Sequence, residues 1–361
     1  MTAERAVIVR WGRSSEGGAE RRIVDWQRAF ELLDVPVTLV SARDHRPTWR
    51  SSVTGMRNVV QHRSMPEVLA CDSAALVAAL RRLTPTTVVC ITGRTAVPEL
   101  FREPWHLVLD YVDQLSGSYR GRSKVVTNPG SRVGYASMAM LAGRFEKLHP
   151  RPVTAVAAGA ADAAALGASW VPISCVSTDT PIKHDQSFDF AFAGTLSYAP
   201  NRDALYRLAR IWPRVTARRS AASLLVAGRR PDPKVVHLCR RHGWTLQADV
   251  ADIRATIASA RVALAPLRVA NGLQLKVLDA AAAGVAQVIS ADVAAGYGGT
   301  FPAIVERSDD ELINAMVSLL ADSPRRVELV REARSVLAHT YSEATVHRQL
   351  AALVACGSVP V

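Results

Sequence analysis

Long apolar runs, cysteine and lysine are what this chain of 361 residues has least of. No run of about 18 apolar residues occurs, so a membrane-spanning helix is excluded. The opening MTAERAVIVRWG passes straight into a strand pattern and lacks the architecture of a signal peptide. Five cysteines (Cys71, Cys90, Cys175, Cys239 and Cys356) are scattered, with no CxxC pair and no histidine cluster. Zinc is not indicated, and a reduced, cytoplasmic protein is the expectation. Lysine occurs five times, so that 39 of the 44 basic residues are arginine, set against 32 acids for a net charge of +12. Together with the many alanines, this points to G+C-rich codon usage as much as to function. The arginines are spread along the chain, and no RNP, zinc-finger or helix-turn-helix pattern accompanies them. Nucleic acid is therefore not expected as a partner.

What the chain does have is length and apolar content. Residues of the hydrophobic class make up 49%, enough for sizeable cores, and 361 residues exceed what one core usually organises, so two domains are expected. The stretch that organises the rest is 261–290, RVALAPLRVANGLQLKVLDAAAAGVAQVIS. Residues 262–266 form a short apolar run closed by proline, as in a buried parallel strand. Asn271 reads as an N-cap, and Gln274 three residues later completes a capping-box pattern. From Leu275 the apolar positions Leu275, Leu278, Ala281 and Ala282 follow helical spacing, Gly284 supplies a stop, and 285–289 return to a sheet.

A helix start at the carboxyl end of a parallel strand favours an anion. The expected amide donors are Gly272, Leu273 and Gln274, and Gly272 lets a phosphate come close to backbone. Arg268 precedes the turn and Lys276 lies near the first turn. Asp279, eight residues beyond Asn271 and about two turns on, is placed to accept hydrogen bonds from sugar hydroxyls. An ordinary capped helix, with Lys276 solvated and Asp279 merely exposed, is the alternative these residues leave open.

Elsewhere the chain alternates strands and helices. A strand at 6–9 leads through WGRSSEGG to a helix at 19–33 and a strand at 35–40. Gly17 and Gly18 stand just before that helix and let backbone approach a ligand, or serve as a flexible turn; they are not part of a GxGxxG fingerprint. Residues 42–66 are polar and basic (Arg43, His45, Arg46, Arg50, Arg57, His62, Arg63) around Trp49, and read as a surface loop with a short strand at 59–60. A helix is expected at 74–83, strands at 87–91 and 107–109, a helix at 133–148, a strand at 153–157 and a short helix at 161–166. The segment LDYVDQLSGSY places Asp110 and Asp113 at a strand's carboxyl end, where an acid acts as a base, grips sugar hydroxyls or caps a loop. His106, at the other end of that strand, reads as structural. Residues 172–187 are polar and without period, as in an interdomain linker. A second sheet opens at 188–193 with FAGTLSYAPNRDAL; Gly194 gives a tight turn, and Asn201 is placed as a cap. Arg229 follows a strand at 223–227 and either reaches phosphate or base or is solvated. Three helices at 309–321, 324–339 and 342–356 end the chain.

APLRVANGLQLKVLDAAAAG resembles the nucleotide-sugar signature of GT-B glycosyltransferases of the family 4 type, including exosortase-associated sugar transferases. That signature is approximately P-L-R-x-x-x-G-x-x-x-K-x-L-E-A-x-A-x-G. FAGTLSYAPNRDAL is similar to its F-x-G-x-x-x-Y-x-P-N-x-D-A-L opening. The family's two acidic positions, eight apart, fall on Asn271 and Asp279. Asp279 keeps the charge on a shorter arm and Asn271 does not, a departure that bears on the donor sugar and on the usual retention of configuration.

The resemblance implies an α/β protein of GT-B fold, two Rossmann-like domains with parallel sheets facing a central cleft. Residues 1–175 would bind the acceptor, 185–340 the nucleotide sugar, and 341–361 would cross back to the first domain. It implies metal-independent transfer from a nucleoside-diphosphate sugar, with UDP favoured as the commonest nucleotide. The acceptor would be a small molecule, a glycan or a lipid-linked or anionic molecule, with residues 42–66 either the acceptor or membrane candidate or a solvated loop, and contact with the inner face of a membrane stays open. Arg268 and Lys276 would balance the departing diphosphate, with Asp113 first and Asp110 second as acids. Gly17, Gly18, Gly194, Arg229, Asn271, Gly272, Leu273, Gln274 and Asp279 would hold the donor. A catalytically silent GT-B partner, or an epimerase or pseudo-glycosyltransferase on the same fold, would share these features.

Overall fold

The computed structural model describes residues 4–12, 17–61, 65–147, 153–175 and 186–357. It divides into two compact units, one of residues 1–174 with 343–361 and one of residues 175–342. Most of the 172–187 segment read as a linker lies outside the described residues, as do His62 and Arg63.

The first unit runs β1 (Ala6–Arg10), α1 (Gly18–Glu31), β2 (Val37–Ser41), α2 (Trp49–Val60), α3 (Ser73–Leu83), β3 (Thr87–Ile91), β4 (His106–Asp110), α4 (Leu115–Val125), α5 (Pro129–Phe145), β5 (Thr154–Ala157), α6 (Ala160–Leu166) and β6 (Ser169–Trp170). The second runs β7 (Phe188–Ala193), α7 (Ala199–Arg218), β8 (Leu224–Gly228), α8 (Pro233–His242), β9 (Thr245–Ala248), α9 (Ile253–Ala258), β10 (Ala260–Ala265), α10 (Leu275–Ala282), β11 (Ala286–Ser290), α11 (Ala291–Ala295), β12 (Ile304–Glu306), α12 (Asp309–Ala321) and α13 (Ser323–Thr340). The last helix, α14 (Glu343–Gly357), belongs to the first unit. No helix among the described residues is long and apolar enough to cross a membrane.

Each sheet has six parallel strands, ordered β2-β1-β3-β4-β5-β6 in the first unit and β12-β11-β10-β7-β8-β9 in the second. Both faces of the first sheet are covered, so its strands are apolar on both sides. Val7, Val9, Val88, Cys90, Leu107 and Leu109 pack with residues of α2–α5 in one core. Ala6, Ile8, Val89, Ile91, Val108 and Val156 pack on the other face against α1 and α14. Asp25 of α1, almost fully buried, accepts hydrogen bonds from Ser174 Oγ at 2.5 Å and Ser174 N at 3.1 Å, and pairs with His347 Nε2 of α14 at 3.1 Å.

Three local expectations are corrected. Residues 49–60 are helix, not loop with a short strand. Thr48 and Ser51 form a reciprocal capping box, but the inward positions Gly55, Asn58 and Val59 are too mixed to show an apolar period. The single helix expected at 133–148 is preceded by α4, whose LSGSYRGRSKV has little apolar periodicity; α5 itself starts earlier, where Asn128 caps Pro129. Asn271 is not the N-cap of α10. That place falls to Gln274, which instead donates through Nε2 to Asn271 O at 2.8 Å.

Candidate functional site

In the second sheet the chain passes from β7 to β8 and β9 on one side, and β10 then adds to the other side of β7. The order reverses between β7 and β10, and α/β sheets take ligands at such a point, outside the carboxyl ends of the strands. Gly194 follows β7 at φ +155 and Gly228 ends β8 at φ +149. A Cβ on Gly228 would lie 1.7 Å from Gly194 O, and one on Gly194 would lie 2.7 Å from Asn201 Nδ2 and 3.1 Å from Lys276 Nζ. Glycine is thus required twice, because the two strand ends touch.

Lys276 of α10 reaches into this place. Its Nζ donates to Asn201 Oδ1 at 2.5 Å and stands 4.5 Å from the centroid of the Phe192 ring. No carboxylate among the described residues pairs with it. Desolvation of the ammonium pulls its pKa down to about 7. Asn201 is fixed in turn, its Nδ2 donating to Thr195 O at 2.9 Å. It is not the cap of α7, which is Tyr198, but the link between the β7 loop and Lys276. Sequence reasoning passed over Asn201 and Phe192 as site residues. Their signal was the PN pair and the aromatic residue two places before Gly194.

The other expected donor-side residues are distributed unevenly. Gly272 takes φ +67 and is buried, and Leu273 is buried as well. Tyr297 donates through its hydroxyl to Gln274 O at 2.7 Å, pinning the 271–274 turn. Since α10 opens at Leu275, its first-turn amides are those of Leu275 and Lys276, not of Gly272, Leu273 and Gln274. Arg229 is exposed, and its carbonyl accepts from Leu196 N at 2.8 Å, knitting the β7 and β8 loops together. Arg268 is held by Asp203 through two bonds, one of them Nε to Oδ2 at 2.9 Å, so its charge already has a counter-ion. Asp279 is not an exposed grip for hydroxyls. It is buried, and its Oδ1 accepts from Arg254 Nε at 3.1 Å. Arg254 also donates to Cys175 Sγ at 3.4 Å.

In the first unit the order reverses between β1 and β3. Asp110, fully buried, accepts through Oδ2 from Arg22 Nε at 2.5 Å and Trp26 Nε1 at 2.6 Å, and through Oδ1 from Val112 N at 3.0 Å. Both oxygens are spent on α1 and the following turn, so Asp110 is an internal clamp and its expected chemical role is corrected. Asp113 differs. It is half-buried and makes no side-chain hydrogen bond among the described residues.

Asp113 follows Val112 at φ 49, and Thr92 at the end of β3 sits at φ 67. Non-glycine residues with such φ values cost free energy and cluster where strain serves function. Burial disfavours the charge of nearby Arg94, but Tyr119, Asp113 and Glu67 outweigh it and raise its pKa. Arg94 donates to Glu67 Oε1 at 2.9 Å and to Tyr119 Oη at 3.2 Å. Burial raises the pKa of Glu146 against two hydrogen bonds from Ser116, with Asp113 adding to the rise. Gly17 has φ +75, and a Cβ on Gly18 would lie 3.3 Å from Ile173 Cδ1 and 3.8 Å from Val112 Cγ1. The start of α1 therefore borders the turn that carries Asp113. Residues 13–16 of that loop lie outside the described residues. His106 Nε2 meets Thr154 Oγ1 at 2.8 Å, at the amino end of β4. Among the described residues no group of three His, Cys, Asp or Glu side chains is placed to hold a metal ion.

Comparison with known proteins follows the same division. Residues 187–322, most of the second unit, match the family described as glycosyl transferases group 1. Comparison with curated protein sequences gives no match. Among solved structures, HepE of Anabaena, crystallised with UDP and glucose, aligns at a TM-score of 0.66 and 14% identity over 98% of this chain and 100% of its own. The sucrose-phosphate synthase of Thermosynechococcus elongatus aligns at 0.70 and 12% over 98% of each chain. WaaG, a glycosyltransferase involved in lipopolysaccharide biosynthesis, aligns at 0.62 and 13% over 96% of this chain and 99% of its own. The fold is GT-B, with two Rossmann-like domains. The family match lies within the second unit, and the solved structures, at 12–14% identity, share the fold.

Proposed function

We propose that the chain moves a sugar from a nucleoside-diphosphate donor, UDP favoured, to a glycan or lipid-linked acceptor, without a metal and with retention of configuration. The observation that carries this reading is Lys276, a desolvated ammonium at the switch point whose partners are an amide oxygen and an aromatic ring. A diphosphate brought to this place gives Lys276 a counter-ion and restores its charge. The first-turn amides of α10 add to the same positive end, and Arg268 joins it where the diphosphate replaces Asp203 as its counter-ion. As the bond from the anomeric carbon to the β-phosphate oxygen breaks, negative charge grows on that oxygen, and fixed donors stabilise it best there. The new bond forms to an acceptor oxygen, whose proton leaves to the departing phosphate or to Asp113. Asp279, held by Arg254, shapes the distal end of the donor site, with Asn271, Gly272, Leu273 and Gln274 forming its turn. Gly194 and Arg229 border the nucleotide, and Gly17 and Gly18 let the first unit's backbone approach its ligand.

UDP is favoured because HepE was crystallised with it, and a lipid-linked or glycan acceptor because of what WaaG builds. Asn271 in place of an acid, with Asp279 already paired, favours one second reading: a catalytically silent partner that binds nucleotide weakly or not at all. A thermal-shift panel of UDP, GDP, dTDP, ADP and CDP, run on the native chain and on Lys276→Met, decides between them. At a hundred times its dissociation constant a ligand stabilises by about 2.7 kcal/mol. A shift with one nucleotide, absent in the variant, is expected; no shift with any nucleotide would favour the silent partner.

A further inference from the structure

Helix α2 carries an apolar stripe that the other described residues leave exposed. Trp49, Val53 and Met56 are 74%, 61% and 52% exposed, at positions i, i+4 and i+7 on one side of the helix. The inward face is formed by Gly55, Asn58 and Val59. At 100° per residue the stripe lies about 130° around the helix from that face, and Arg50 and Arg57 lie about 80° further round. The other large exposed hydrophobics are mostly single residues, as on any protein surface. An exception is α5, packed in the same core, which exposes Val133 at 67% and Met140 at 54%, seven residues apart.

The chemistry beside the stripe is of one sign. No acid occurs in α2, and Arg43 and Arg46 precede it, both exposed, with Asp44 the single acid between residues 42 and 60. The guanidinium of Arg50 lies 5.7 Å from the centroid of the Trp49 ring. An exposed tryptophan beside arginines suits the boundary between lipid headgroups and acyl chains. A partner helix or a second protein copy would call for acids to meet the arginines, or for a wholly apolar seam. An anionic lipid surface satisfies both the stripe and the charges.

We propose that α2 docks the first unit on an anionic membrane surface, with Trp49, Val53 and Met56 entering the interface and Arg43, Arg46, Arg50 and Arg57 facing lipid phosphates. The proposal rests on the reading of the acceptor as lipid-linked, which places the acceptor-binding unit at the surface that carries its substrate. It is independent of donor binding, which uses the second unit.

The test is sedimentation of the full-length protein with vesicles of phosphatidylcholine alone and of phosphatidylcholine with one third phosphatidylglycerol, at low and high salt. The native protein should pellet with the anionic vesicles and be released by salt. Trp49→Ser/Val53→Ser should lower partitioning roughly tenfold or more, and Arg50→Ser/Arg57→Ser by a similar factor, at about fivefold per basic residue. All four positions are exposed, so both variants should keep the native melting temperature and the native nucleotide response. Failure of the native protein to bind anionic vesicles, or unchanged binding by both variants, would overturn the proposal. So would loss of a lipid-free dimer in Trp49→Ser/Val53→Ser, which would make the stripe a self-association surface. A lost nucleotide response with intact vesicle binding would sink the donor-site reading and leave this one standing.

Discussion

The carboxyl ends of the two sheets are built by the same rule but differ in which charge is left without an ionic hydrogen-bond partner. Both place loops at a reversal of strand order. In the second unit that place holds Lys276, a cation with neutral partners. In the first it holds acids, of which Asp110 is locked to Arg22 and Trp26, while Asp113 is half-buried near Arg94 and makes no side-chain hydrogen bond among the described residues. On the proposed reading the first end receives the donor's diphosphate at Lys276, and Asp113 is the carboxylate at the other end that makes no side-chain hydrogen bond among the described residues. The contrast separates charges engaged by side chains within the fold, such as Asp110, from ones with neutral partners or no side-chain hydrogen bond, such as Lys276 and Asp113, a distinction residue type alone does not make.

The sharpest way to break the comparison is at the two aspartates. Asp110→Asn leaves Arg22 as a buried, uncompensated charge, for which about 3–5 kcal/mol of lost stability is expected, seen as a lowered denaturation midpoint. Asp113→Asn should leave that midpoint unchanged and lower turnover by roughly a hundredfold or more if it handles the acceptor proton. Equal effects on stability from both would erase the distinction.

Next in size is Gly228→Ala. Its Cβ would meet Gly194 O at 1.7 Å, so the strand ends must separate, at a cost of about 1–3 kcal/mol. Nucleotide binding should weaken along with stability. Smaller, and opposite in sign for stability, is Lys276→Met. The folded-state pKa of about 7 lies below the ordinary lysine value of 10.5, so the ammonium opposes folding. That penalty is full below pH about 7 and fades as the pH rises toward 10.5. The variant should therefore melt a few degrees higher at neutral pH without ligand, while losing its response to nucleotide. A melting temperature that falls would mean Lys276 is an ordinary structural lysine.

The two ends also differ in how legible they were. The second unit's strands, Gly194, Lys276 and the α10 region follow from apolar runs, helix stops and glycine placement, because its loops are short and its period regular. The state of individual charges was not legible. Arg254, Asp203 and Arg22 lie 25, 65 and 88 residues from the acids or arginines they engage, and no local pattern announces such pairs. Helix α2 was missed for a different reason: a helix that buries glycine, asparagine and valine and exposes tryptophan inverts the usual reading of periodicity. Its outward stripe is the feature the sequence most obscured.

The most direct test of the central claim is calorimetric titration of the nucleoside diphosphate that stabilises the protein best, at pH about 6 and about 8.5, each in two buffers of different ionisation enthalpy. If Lys276 meets the diphosphate, the complex takes up a proton at the higher pH, and affinity falls there by up to tenfold per pH unit above 7. Lys276→Met should show weak binding at both pH values and no proton uptake on that account. Tight binding by the variant, unchanged between the two pH values, would contradict the account and move the donor diphosphate away from Lys276.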